Sequence, residues 1–195
     1  ETAHVREEWN DTLTGAAHSV MVPMQKALWS RTSHNYAGYN TNIPDQFRME
    51  QFETEFTKMW LKGKEEMPRL IAMQVPNDHG AGARPEDGYP YPHSYMADND
   101  LAVGRILHFL SRTKYWKNML VIVTEDDPQG GVDHIDAHRS ILMMAGPYVK
   151  RNYVDHTMYS TSSVVRTIEL ILGMPPMSQY DAAATPMWQS FTANA

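Results

Sequence analysis

Hydrophobic and polar positions follow different rhythms in successive parts of the chain. From Asp45, the residues Phe52, Phe56, Met59 and Trp60 recur at helical spacing, and Lys62-Gly63-Lys64 adds basic residues and a glycine stop. This predicts a surface helix over 45–61. Arg69 to Val75 is a mostly apolar run that reads as a buried strand, ending at Pro76 and the polar loop Asn77-Asp78-His79-Gly80. The stretch from Gly80 to Pro92 is rich in glycine and proline and reads as a loop able to cover a site. An amphipathic helix is expected over 93–111, with Leu101, Val103, Ile106, Leu107 and Leu110 on one side.

Met119–Thr124 and Arg139–Ala145 read as two further strands, joined through Glu125-Asp126-Asp127 and a glycine-rich turn at 128–133. Ser160 or Thr161 then caps a helix with Val164, Val165, Ile168 and Leu172 on its buried side, stopped by Gly173 and Pro175-Pro176. Residues 1–44 predict irregular structure with one short helix near 20–29. The order strand, helix, strand, loop, strand, helix implies an α/β domain whose first two strands run parallel through a helical crossover. Ligands of such sheets gather at the carboxyl ends of strands, here Asp78-His79 and Asp126-Asp127.

Composition narrows the partners. The 195 residues carry a formal net charge of -6 and no run of Lys or Arg longer than two, which argues against nucleic acid. The longest apolar runs fall far below the roughly 20 residues that cross a bilayer, so no transmembrane span is expected. With Cys 0, any metal must sit on carboxylate, imidazole, hydroxyl or backbone oxygen.

Two acidic clusters at strand ends, together with His134 and His138, form an oxygen and imidazole set suited to one or two ions such as Zn, Mn, Mg or Ca. Spacing alone leaves plain loop or capping roles equally open to these residues. Arg139 can hold a phosphate oxygen through its guanidinium fork or pair with Asp133 or Asp136. His108 reads as a partly buried helix residue and His156 as a turn residue. Asp98 and Asp100 read as answers to the macrodipole at the front of their helix, and the 14 methionines as core packing.

Several ordered strings resemble the bacterial phosphoesterase family: Val75-Pro76-Asn77-Asp78-His79-Gly80, Ala97-Asp98-Asn99-Asp100-Leu101-Ala102, Thr124-Glu125-Asp126-Asp127, Asp133-His134-Ile135-Asp136-Ala137-His138-Arg139 and Asp155-His156-Thr157. That family includes phospholipase C-like and acid-phosphatase-like enzymes of the alkaline phosphatase superfamily. The resemblance covers about residues 45–192 and implies a single partial domain, the carboxyl-terminal part of an alkaline phosphatase-like three-layer sandwich. It implies a metal-dependent phosphoric ester hydrolase with two divalent ions, held by Asp78, His79, Asp126, Asp127 and His138, with His134 and Arg139 behind them. The gap between Asp78 and His79 is shorter than the family's usual one, so Asn77 is an alternative metal-facing residue.

The nucleophile is expected upstream. Thr12, Thr14, Thr32 and Ser33 offer hydroxyls without the acidic motif that should precede one, and Thr14-Gly15 is the best of them. Catalysis by the chain is therefore tied to an amino-terminal half, with which it, or an oligomer, would share exposed apolar surface. The family points to the periplasm or the extracellular space. The competing reading is a non-catalytic phosphoesterase-like domain that binds a ligand or partner and lacks the nucleophile.

Overall fold

A computed structural model describes residues 28–126 and 140–193. They fall in two compact units, the described parts of Glu1–Ile106 and Leu107–Ala195. Helices with a small sheet make up the architecture, as expected of a mixed α/β chain.

In the first unit, helix α1 spans Asp45–Phe56 and continues as a π-helical turn, Thr57–Leu61. This matches the predicted 45–61 helix, with Met49, Phe52 and Phe56 buried and the Phe56 ring edge-on to Trp60 at 5.0 Å. Helix α2 spans His93–Leu110, also as expected, and its residues through Ile106 belong to this unit. Its buried stripe differs: Tyr95, Ala102, Ile106 and Leu110 face inward, whereas Leu101 is 58% exposed. At 100° per residue, Ala102 takes the centre of the face and Leu101 falls on its flank. The two helices are joined by Arg105, whose guanidinium donates to Gln46 O at 3.1 Å, to Gln46 Oε1 at 3.0 Å and to Glu53 at 3.4 Å.

Arg69–Val75 forms no strand. Leu70 and Ile71 are exposed, and no neighbouring strand satisfies the backbone of this run among the described residues. An apolar run becomes a strand only when a partner pairs its N–H and C=O groups. The expected parallel crossover pair is therefore absent among the described residues.

The second unit holds β1, Val121–Thr124, and β2, Leu142–Ala145, paired antiparallel with Val121 opposite Ala145 and Thr124 opposite Leu142. Both lie within strands expected from the sequence, though each is shorter. Helix α3, Thr161–Leu172, starts after Ser160, whose backbone N–H donates to Ser163 Oγ at 3.2 Å, and ends at Gly173 with φ +70°. That left-handed conformation is the one glycine adopts without penalty. The predicted face of α3 is only half-buried; its fully buried positions are the polar Ser163, Thr167 and Glu169. Thr167 explains part of this, since its hydroxyl donates to Ser163 O at 2.7 Å and accepts from Met187 N–H at 2.9 Å. A short helix α4, Gln179–Ala183, follows. The expected helix near 20–29 is represented only by a helical turn at Leu28 and Trp29, the remainder lying outside the described residues.

No helix among the described residues is long and apolar enough to cross a membrane. Large apolar side chains are nevertheless exposed in the second unit, including Met158, Met177, Tyr180, Val154 and Trp188. Methionine as general core filler is thus corrected: Met49 and Met187 are buried, but Met143, Met158 and Met177 face solvent.

Candidate functional site

The turn Pro76–His79 carries two of the expected metal residues, Asp78 and His79. Pro76 suits the first position of a tight helical turn, because its missing N–H has no partner there to lose. Gly80 ends the turn at φ +71°, a left-handed conformation that disfavours any residue with a Cβ. Within the turn, Pro76 and Asn77 are buried, Asp78 is half-buried and His79 is exposed. The structure thus anchors this segment through Asn77 and leaves the next two side chains toward the surface. His79 Nδ1 lies 3.2 Å from Gly80 O, and the neutral tautomer that donates there keeps its lone pair on Nε2. Its ring meets Tyr39 edge-on at 5.6 Å.

The anchor is a polar cluster that sequence reasoning missed. Asp45, the first residue of α1, is fully buried, as is Arg48 one turn later, and their side chains pair at 3.0 Å. Arg48 also donates to four backbone oxygens, those of Ala37 at 2.9 Å, Ile43 at 2.6 Å, Gly38, and Asn40 at 2.9 Å. The other oxygen of Asp45 accepts from Asn77 N–H at 3.1 Å and Asn99 Nδ2 at 3.1 Å. Burial pushes the Asp45 carboxyl above its ordinary range, while those hydrogen bonds and the Arg48 charge oppose the rise.

Asp98, on α2, completes the cluster. Its Oδ2 accepts from Asp45 N–H at 2.7 Å, Asn77 Nδ2 at 2.7 Å and Tyr89 OH at 3.0 Å. Burial and the Asp98 charge both raise the Tyr89 hydroxyl well above its usual range. The macrodipole role expected of Asp98 and Asp100 is corrected: α2 begins at His93 and has no acid in its first turn. Asn77 Nδ2 also lies 3.2 Å from Tyr89 OH, while the buried Asn77 Oδ1 has no hydrogen-bond partner among the described residues.

The loop expected over 80–92 is present and tightly fastened. Arg84 and Tyr89 exchange backbone hydrogen bonds at 2.7 and 3.0 Å. The Arg84 side chain donates to Tyr95 OH at 2.7 Å, Asn42 Oδ1 at 2.6 Å and Thr41 O at 2.9 Å. Tyr89 stacks on Tyr95 with ring centroids 4.1 Å apart.

In the second unit, Asp126 stands exposed just beyond the carboxyl end of β1, the position expected of it. Asp127, His134, His138 and Arg139 lie outside the described residues, as do Asp133, Asp136, Thr12 and Thr14. Among the described residues no group of three or more His, Asp or Glu side chains is gathered to hold an ion. The hydroxyl of Thr32 donates to Leu28 O at 2.9 Å and Ser33 Oγ bonds Glu55 Oε2, so both have local roles. His108 is exposed rather than partly buried, with its ring against Arg112. His156 is also exposed. The neighbouring Asp155 holds that turn, accepting from Thr157 N–H at 3.0 Å, Tyr159 OH at 3.0 Å and Ser190 Oγ at 2.9 Å. A depression of about 480 Å³ bordered by Pro147, Val149, Lys150, Arg151, Asn152, Tyr153 and Thr192 includes none of the expected site residues.

Comparison with known proteins adds one finding. The model of the Phosphoesterase family matches residues 29–175, three quarters of the chain. No curated protein and no solved structure matches.

Proposed function

The chain belongs to the Phosphoesterase family, and from that membership we propose that it hydrolyses phosphoric ester bonds with divalent cations bound by its acidic and imidazole side chains. In this reading the helices and small sheet are part of an alkaline phosphatase-like three-layer sandwich. The observation that carries the proposal is the family match over 29–175, which contains every residue of the expected site.

The donor set fits hard or borderline ions, because it offers carboxylates and imidazole and no sulfur. Asp78 and His79, with Asp126, Asp127 and His138, would hold two ions, and His134 and Arg139 would support them. Such ions neutralise the phosphoryl oxygens and make an attacking hydroxyl more acidic. His79 suits its part because the tautomer that donates to the Gly80 carbonyl leaves Nε2 for a ligand. Asp78 brings a negative charge beside it on a turn whose backbone is tied to Asp45 through Asn77. No hydroxyl among the described residues is assigned as nucleophile.

The test is hydrolysis of chromogenic phosphomonoesters, phosphodiesters and phosphocholine esters by the purified protein together with the amino-terminal half expected to supply the nucleophile, before and after chelation. The expected result is hydrolysis that EDTA abolishes and Zn, Mn, Mg or Ca restores. A protein that hydrolyses none of these esters with any of the ions added would contradict the proposal.

A further inference from the structure

Three separate parts of the first unit converge on the Asp98 side chain. A single oxygen of its carboxylate receives the leading N–H of α1 at Asp45, the Asn77 amide from the Pro76–His79 turn and the Tyr89 hydroxyl from the 80–92 loop. Helix α2 supplies a rigid base for it, since α2 is fixed to α1 through Arg105 and through Gln46 Nε2, which donates to Asp98 O at 2.7 Å. Asn99, the next residue, adds a second tie from α2 by donating to Val75 O at 2.7 Å, just before the turn.

We infer that Asp98 is a positioning residue. It sets the place of Asp78 and His79 by gripping Asn77, the residue directly before them, and it does so jointly with the loop through Tyr89. This rests on the proposed phosphoesterase reading for its catalytic consequence, but the positioning itself is a statement about the turn.

The chemistry favours a carboxylate here. Three donors around one oxygen need an acceptor with charge and spare lone pairs, and a charge-assisted bond is about twice as strong as a neutral one. Asn77 cannot be held by its other amide atom, since Oδ1 has no partner among the described residues. Removing the Asp98 charge therefore loosens the one side-chain grip that the turn's Asn77 makes on α2. An alternative role for Asp98, simple support of the fold, would leave His79 and the substrate parameters unchanged once the protein is folded.

The experiment compares Asp98→Asn with Asp100→Asn, whose side chain is exposed two residues away on the same helix. The His79 ring signals are followed by ¹H–¹³C NMR in each protein, and kcat and KM for a chromogenic phosphomonoester are measured separately. In Asp98→Asn, displaced or doubled His79 signals are expected. A loss of kcat between about tenfold and a hundredfold, the scale on which small misplacements act, should accompany a smaller change in KM. Asp100→Asn should match the wild type. Should Asp98→Asn fail to fold, Tyr89→Phe takes its place, because it removes one of the three donors and keeps the stack on Tyr95; the same His79 shift is expected at smaller amplitude. Unchanged His79 signals in the folded variant, or equal changes in Asp100→Asn, would overturn the inference. If the wild type hydrolyses no ester, the phosphoesterase reading fails while the His79 signals still decide whether Asp98 positions the turn.

Discussion

Asp45 and Arg48 form a fully buried ion pair with side-chain exposures of 0% and 0%, and Arg48 bonds four carbonyl oxygens besides. Breaking such a pair leaves a charge in a poorly solvated place, so Arg48→Met should destabilise the chain by about 3–5 kcal/mol, read from urea unfolding midpoints. An unchanged midpoint would show that water reaches Asp45. Asp155 makes the opposite kind of carboxylate. Partial burial raises it, but the hydrogen bonds from Thr157, Ser190 and Tyr159 outweigh that and bring it down to about 2. Its stabilising effect is complete above the ordinary aspartate range near ~3.9 and is lost as pH falls toward 2. Asp155→Asn should therefore flatten the acid limb of the stability profile, measured by urea unfolding between neutral and acid pH. Nothing in the sequence reports these environments: Asp45 simply opens the expected 45–61 helix, and Asp155 enters only as part of the string Asp155-His156-Thr157. Their environments come from partners 2 to 54 positions away, and local spacing does not report the distant ones.

At the level of elements, α1, α2 and α3 were legible because their apolar period and stop signals are both local, whereas the five-residue α4 is too short to show a period. The run Arg69–Val75 was misread because an apolar stretch cannot say whether a strand lies beside it. The buried stripe of α2 was read one position off at Leu101, since Ala102 is too small to register as a core residue by pattern. Two glycines test how the helices are built. Gly63 follows the π-helical turn, and a Cβ there would stand 2.2 Å from Met59 O, so Gly63→Ala should cost about 1–3 kcal/mol through forced backbone movement. Gly104 lies exposed inside α2 with nothing within 4 Å of an added Cβ, and Gly104→Ala should stabilise by about 0.5–1 kcal/mol. Thermal melts of the two variants should move in opposite directions. Movement in the same direction would contradict the helix geometry at one of the two sites.

Over the whole molecule, the order of the motifs carried more information than any element. Asn77-Asp78-His79, Asp98-Asn99 and Glu125-Asp126-Asp127 each look ordinary alone, yet their sequence along the chain resembles one family, and the family match over 29–175 bears that out. The first two strings meet in space through Asn77 and Asp98, a contact that motif order does not reveal. The role proposed for the motifs is to hold ions. The direct measurement is the divalent metal content of freshly purified protein, compared with that of Asp126→Ala. The account predicts Zn, Mn, Mg or Ca retained by the wild type at one to two ions per chain and clearly less in the variant, in step with lost ester hydrolysis. Hydrolysis that proceeds in metal-free protein, or a metal content that Asp126→Ala leaves unchanged, would contradict it.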